Sequence, residues 1–115
     1  MTYEVIITEP ALEKIFQQAT YIRDESKSPE TASRWLQRAL ESGNSLGQMP
    51  RRCARAKEDD HCPYEVRAMK VGTYTLLFTV VEETKTVWVI NARSGWQLPR
   101  PQDLPNDIEE LEEDA

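Results

Sequence analysis

Long apolar runs are missing from this sequence: nothing in it approaches the roughly 18 consecutive apolar residues that a membrane span requires. It opens on a strand-like segment, without the charged stretch and apolar core of a secretory leader, so the expected compartment is the cytosol. Cysteine is scarce. Cys53 and Cys62 are too few for a disulfide scaffold, lie in a polar connection and read as reduced thiols. The single histidine, His61, sits between Asp60 and Cys62, and Cys53, His61 and Cys62 do not reproduce zinc-finger spacing; no metal and no cofactor are expected. A length of 115 residues suffices for one core and is too short for two.

What is present is charge, unevenly spread. The formal net charge is -6, but seven of the 20 acids fall in residues 103–115, which hold no Lys or Arg; the 13 remaining acids face 14 bases. A near-neutral body, residues 1–102, thus carries an acidic tail, residues 103–115, and the whole-chain charge describes neither. The tail allows two readings, a solvated appendage or a strap folded back over the basic loop or Arg93.

Periodicity orders the rest. Tyr3 to Ile7 is short and β-branched and stops at Thr8-Glu9-Pro10, a helix-start signal. Leu12, Ile15, Phe16, Ala19 and Ile22 then recur at helical spacing. Ser28-Pro29 predicts the N-cap and first position of a second helix, whose apolar stripe is Ala32, Trp35, Leu36, Ala39 and Leu46. So short a turn predicts an antiparallel helical hairpin. Residues 47–63 show neither period and carry Arg51, Arg52, Arg55 and Lys57; they read as a long exposed loop. Three strand signals follow, Tyr64 to Val71, Tyr74 to Val81 and Thr86 to Ala92, joined by turns short enough for an antiparallel meander. Leu76-Leu77-Phe78 and Val87-Trp88-Val89-Ile90 are apolar on both faces, as in strands covered twice. After Pro105, Ile108 and Leu111 stand at helical spacing in a segment that reads as a frayed helix or as disordered.

This α+β order of strand, helical hairpin, polar loop, three-stranded meander and basic turn resembles the RelE/ParE toxin superfamily. Tyr64 to Phe78, with a glycine turn at Gly72 followed by Tyr74-Thr75-Leu76-Leu77-Phe78, is similar to the family's central hairpin. Val89-Ile90-Asn91-Ala92-Arg93-Ser94-Gly95 is similar to its last strand and Arg-His-Gly-type ending. The resemblance spans residues 3 to 104. It implies a toxin of a bacterial type II toxin–antitoxin (plasmid-stabilisation) system, neutralised by a cognate antitoxin. It implies one of two targets, DNA gyrase for ParE-like members or ribosome-bound mRNA for RelE-like ones. Two positions depart from the family: Thr75 stands where an arginine is common, and Ser94 where many relatives have histidine.

Whether the chain is an enzyme turns on its cations. Cleaving RNA through a 2′-hydroxyl needs a proton acceptor, a proton donor and positive charge on the phosphate. Arg67, Lys70 and Arg93 are the bases expected to project from the meander, with Tyr64 and Tyr74 to orient them. Arginine clamps charge but is a poor base, and Lys70 needs strong desolvation to accept a proton near neutrality. Without a recognisable acid–base pair, ParE-like action on gyrase, or lost activity, is favoured over an mRNA endoribonuclease. Arg51, Arg52, Arg55, Lys57 and Trp96 are the residues expected to meet antitoxin or nucleic acid, the aromatic as an anchor; the alternative for the basic cluster is a loop kept soluble by charge.

Overall fold

A computed structural model describes residues 2–95 and 97–113. Strand β1, Glu4–Ile7, leads directly into helix α1, Glu9–Ser26, and helix α2 follows over Pro29–Asn44. Three short 3-10 turns cross the loop before strands β2, Arg67–Val71, β3, Tyr74–Val81, and β4, Thr86–Ser94; a last helix, α3, covers Ile108–Glu113. The sheet order is β1-β4-β3-β2. The meander is antiparallel as expected, while β1 adds to β4 in parallel, Val5 opposite Val87 and Ile7 opposite Val89. A parallel neighbour demands a crossover, and the α1–α2 hairpin supplies part of it.

Local chemistry sets the helix ends. The Thr31 amide donates to Ser28 Oγ at 3.2 Å, and Pro29 occupies a position whose N–H has no helical partner. Thr8 precedes α1 but does not cap it: its hydroxyl donates to the Val89 carbonyl at 2.8 Å, tying the helix start to β4 instead. The buried stripe of α1 is Ala11, Ile15 and Ala19. Phe16, expected on that stripe, is 49% exposed. It lies one residue past Ile15, rotated by about 100° round the helix, far enough to face outward.

The two faces of the sheet carry separate cores. Against the helices pack Val71, Tyr74, Leu76, Phe78, Val87, Val89 and Ala92, with Trp35 meeting Tyr74 edge-on at 5.4 Å between ring centroids. On the reverse face Val66, Leu77, Val81, Trp88 and Ile90 are covered by Ala56 from the loop and by Leu104 and Leu111 from the C-terminal segment. The loop therefore differs from its sequence reading. It is partly interior, with Pro50, Ala56 and Glu58 buried, and it runs beside β2, the Ala56 amide donating to the Val66 carbonyl at 2.8 Å and the Ala68 amide to the Ala54 carbonyl at 3.0 Å. That pairing covers an otherwise open sheet edge and shortens β2, expected from Tyr64, to Arg67–Val71.

Residues 104–112 match neither reading of the tail as made: their apolar side packs on the sheet, while Asp107, Glu109, Glu110 and Glu112 are exposed. Leu104, Ile108 and Leu111 lie on one side of the segment, and the Tyr64 hydroxyl donates to the Pro105 carbonyl at 2.6 Å. Burying two leucines is worth about 1.5–3 kcal/mol each before the cost of ordering the segment. Ending the chain after Asp103 should therefore lower unfolding free energy by about 2 kcal/mol or more and raise binding of a hydrophobic dye. An unchanged denaturation midpoint would show that these contacts contribute nothing.

A second brace joins the chain's beginning to the β3–β4 turn. Glu82 accepts hydrogen bonds from Lys85, at 2.8 Å, from Tyr3 and from Arg51. These donors hold its carboxyl down to about 2, Lys85 acting most strongly. A carboxyl lowered in the folded state adds stability that is complete above its ordinary value of 4.5 and disappears as pH falls toward 2. The stability difference between the wild type and Glu82→Gln should shrink across that window in urea titrations; a difference constant with pH would remove Glu82 as the hub.

Candidate functional site

Strand alternation sorts the expected cations onto opposite faces. Arg67 shares its face with Met69 and Val71, toward the helices, whereas Lys70 shares the reverse face with Val66 and Ala68. The register sets Lys70 opposite Thr75 and Thr75 opposite Arg93, so these three form a row across β2, β3 and β4. A bulge adjusts this row. Leu77 lies opposite Asn91 and Phe78 opposite Val89, leaving Ile90 as the extra residue of β4; Ile90 and Asn91 then point the same way, and Arg93 falls on the reverse face.

Arg93 does not stand open to a ligand. Its guanidinium grips Glu58 with two hydrogen bonds, Nε to Oε2 at 2.8 Å and Nη2 to Oε1 at 3.3 Å. Glu58 is 1% exposed and Arg93's side chain 15%. The two-pronged geometry matches carboxylate to guanidinium and satisfies charges that burial would otherwise make costly. Nothing in the sequence marks Glu58, which stands beside Asp59 and Asp60 in the polar loop. Thr75, between Lys70 and Arg93, is itself buried, and Lys70 is exposed.

The remaining cations serve the fold. Arg67 donates to the carbonyl of Cys53 and to Glu65, fastening the loop to β2. Arg51 pairs with Glu82, and Arg55 with Asp59 at 3.4 Å and Glu65 at 3.3 Å. Arg52 reaches the carbonyls of Gln48 and Met49 and the hydroxyl of Ser45, closing the end of α2. Lys57 is exposed and makes no ion pair among the described residues. Trp96 lies outside the described residues. The tyrosines are structural donors: Tyr74 gives its hydroxyl hydrogen to the Lys14 carbonyl at 3.0 Å and is pushed up to about 12 by burial, and burial also raises Tyr64. Neither is poised to exchange protons near neutrality. Among the described residues, no three His, Cys, Asp or Glu side chains gather where they could share a metal ion.

Two surface depressions were not foreseen. One, of about 330 Å³, runs between α1 and α2 and is lined by Phe16, Ala19, Arg23, Ala32 and Leu36. The other, about 960 Å³, lies where β1 and the start of α1 meet the C-terminal segment, with Ile6, Trp88, Ile90, Leu104 and Leu111 as its apolar lining. The helical spacing of Ile108 and Leu111 was the one sequence signal of this second groove.

The buried pair permits a direct test. Glu58→Ala leaves Arg93 charged without its partner and should cost about 3–5 kcal/mol in urea unfolding, while replacing both residues by methionine should cost less than the two single changes together. Additive losses would mean that the two charges do not depend on each other.

The model of the ParE toxin of the parDE type II toxin–antitoxin system matches residues 5–97. No curated protein matches. Among solved structures, the chromosomal ParDE system of P. aeruginosa superposes with a TM-score of 0.64 at 16% identity, covering 81% of this chain and 96% of that one. The RelBE2 toxin–antitoxin complex of Mycobacterium tuberculosis gives 0.57 at 21% identity, covering 82% and 99%. The archaeal RelE–RelB complex of Pyrococcus horikoshii gives 0.53 at 15%, covering 85% and 100%. At these identities the superpositions establish a common fold, the RelE/ParE fold expected from element order. With residues 5–97 accounted for by one family, the chain belongs to the ParE toxins of type II toxin–antitoxin systems.

Proposed function

We propose that this protein is the toxin of a type II pair, held by a cognate antitoxin, and that it acts in the ParE manner on DNA gyrase or has lost its activity, without making or breaking bonds itself. The observation that carries this reading is the engagement of Arg67 and Arg93 within the fold, which leaves Lys70 as the one expected cation of the meander still exposed. A ribonuclease needs positive charge free to meet phosphate and a group titrating near neutrality. Here Arg93 is spent on Glu58, Arg67 faces the other way, and the buried tyrosines are raised, not lowered. Action through a protein surface asks for none of these.

The antitoxin reading draws support from the α1–α2 groove. Phe16 is a large aromatic left half exposed above Ala19 and Leu36, the kind of apolar anchor on which binding energy concentrates. Lys57 is the loop cation we assign to partner contact, since Arg51, Arg52 and Arg55 reach a partner only by sharing their present acceptors. In this reading residues 1–102 are the toxin unit and residues 103–115 an acidic extension docked on it. No described helix is long and apolar enough to cross a membrane; in this reading the protein acts in the cytoplasm.

Purified protein should inhibit gyrase supercoiling and leave ribosome-bound mRNA intact, and its cognate antitoxin should reverse the inhibition. Cleaved mRNA would overturn the reading in favour of a nuclease, and intact gyrase activity with normal growth on induction would select the inactive form. Phe16→Asp should weaken antitoxin binding at least about tenfold with an unchanged circular dichroism spectrum.

A further inference from the structure

The larger groove has a composition of its own. Its lining includes Glu9 and Glu13 from the first turns of α1, Asp103, and Glu110 from α3, and it contains no Lys or Arg. Asp103 is neutralised by Arg100 at 2.8 Å. Glu9, Glu13 and Glu110 are exposed and form no ion pair among the described residues; the Glu110 carboxylate accepts a hydrogen bond from the Asn106 amide at 3.0 Å, and the Glu110 amide donates to Asp107 at 2.8 Å. The nearest base on α1, Lys14, lines a different cleft. Between the acids lies an apolar floor of Ile6, Trp88, Ile90 and Leu111. Trp88 is 5% exposed, and its indole N–H is buried with no acceptor.

Helix geometry joins this groove to the one above the helices. Glu9, Glu13, Phe16, Thr20 and Arg23 follow one another by four, three, four and three residues, so they lie along one stripe of α1. Glu9 and Glu13 line the large groove, and Phe16, Thr20 and Arg23 line the small one. A chain lying along this stripe meets acid at the start of α1 and an aromatic in its middle. Roughly half of the acidic groove is built by residues 102–111, beyond those the ParE family accounts for, so this end of the track belongs to this chain.

We infer that the groove between the start of α1 and the C-terminal segment receives a basic segment of the antitoxin, one that places lysine or arginine over Glu9, Glu13 and Glu110 and an apolar side chain against Trp88 and Ile90. The inference rests on the antitoxin reading given above. Three unpaired carboxylates around a water-excluding floor favour a cationic, apolar-anchored chain on two counts: complementary charge steers it, and the floor holds it. A small polycation would use the charges and leave the floor wet.

The test uses the whole protein and a short amphipathic peptide of leucine and lysine, with its leucine and glutamate counterpart, at low salt. Binding is read from the Trp88 indole N–H resonance, assigned by its loss in Trp88→Phe. The lysine peptide should shift that resonance saturably and the glutamate peptide should not; Glu9→Gln/Glu13→Gln/Glu110→Gln, all surface changes, should weaken binding about tenfold. An unmoved indole, equal binding by the triple variant, or the same shift produced by spermidine would overturn the inference. Affinity for the cognate antitoxin, measured in parallel, separates the outcomes. No binding by the wild type defeats the antitoxin reading itself, whereas equal binding by wild type and triple variant defeats only the groove assignment.

Discussion

Strands β3 and β4 are apolar on both faces, and a four-stranded sheet of this kind is stable only if both faces are kept from water. The α1–α2 hairpin covers one. On the other there is no second pair of helices to lay over Leu77, Trp88 and Ile90, so the chain uses what it has: an irregular loop and a short C-terminal helix. Much else follows from that shortage. The loop must pack, so it carries Ala56 inward and cannot be the free, exposed segment that its polarity suggests. The segment after Pro101 must pack as well, so its acids are turned to solvent by the burial of Leu104 and Leu111.

A loop pressed onto a sheet brings its polar backbone and charges with it, and each must find a partner. Arg67 answers the carbonyl of Cys53, Asp59 accepts from the Val66 amide at 2.7 Å, and Glu58 is met by Arg93. Cations that look like a nucleic-acid surface when read along the chain are in three dimensions the fastenings of the second layer. This accounts for a basic cluster in a protein whose overall charge is acidic: Arg51, Arg55, Arg67 and Arg93 are matched by acids of the fold, whereas Lys57 and the acids at the start of α1 form no ion pair among the described residues.

Local signals read well from the sequence, and long-range ones did not. The cap at Ser28, the glycine at Gly72 with its positive φ of 64°, and the double-sided strands each follow from a few neighbouring residues, and with them the fold class. Arg67 and Lys70, grouped with Arg93 in the sequence reading, are separated by strand alternation, since residues three apart in a strand face opposite ways. Hidden from sequence were the extra residue at Ile90, which resets the alternation before Arg93, and the burial of Glu58, which depends on a strand 35 residues away. Phe16 shows the opposite error: a helical period accommodates one residue too many, and only packing shows which is left outside.

The Glu58–Arg93 pair also bears on mechanism through its energetics. For Arg93 to meet a phosphate, it must leave a carboxylate that is almost wholly buried. The stranded charge then draws water into the loop–sheet interface, and breaking such a pair costs about 3–5 kcal/mol. A phosphate contact made by an arginine already near the surface returns about 1.5–3 kcal/mol. The exchange is unfavourable unless the loop lifts away, and lifting it exposes Ala56, Val66 and Leu77 as well. The fold thus spends its best-placed arginine on holding two layers together. Its working contacts are left to the surfaces that packing does not consume, the outer stripe of α1 and the groove beside it.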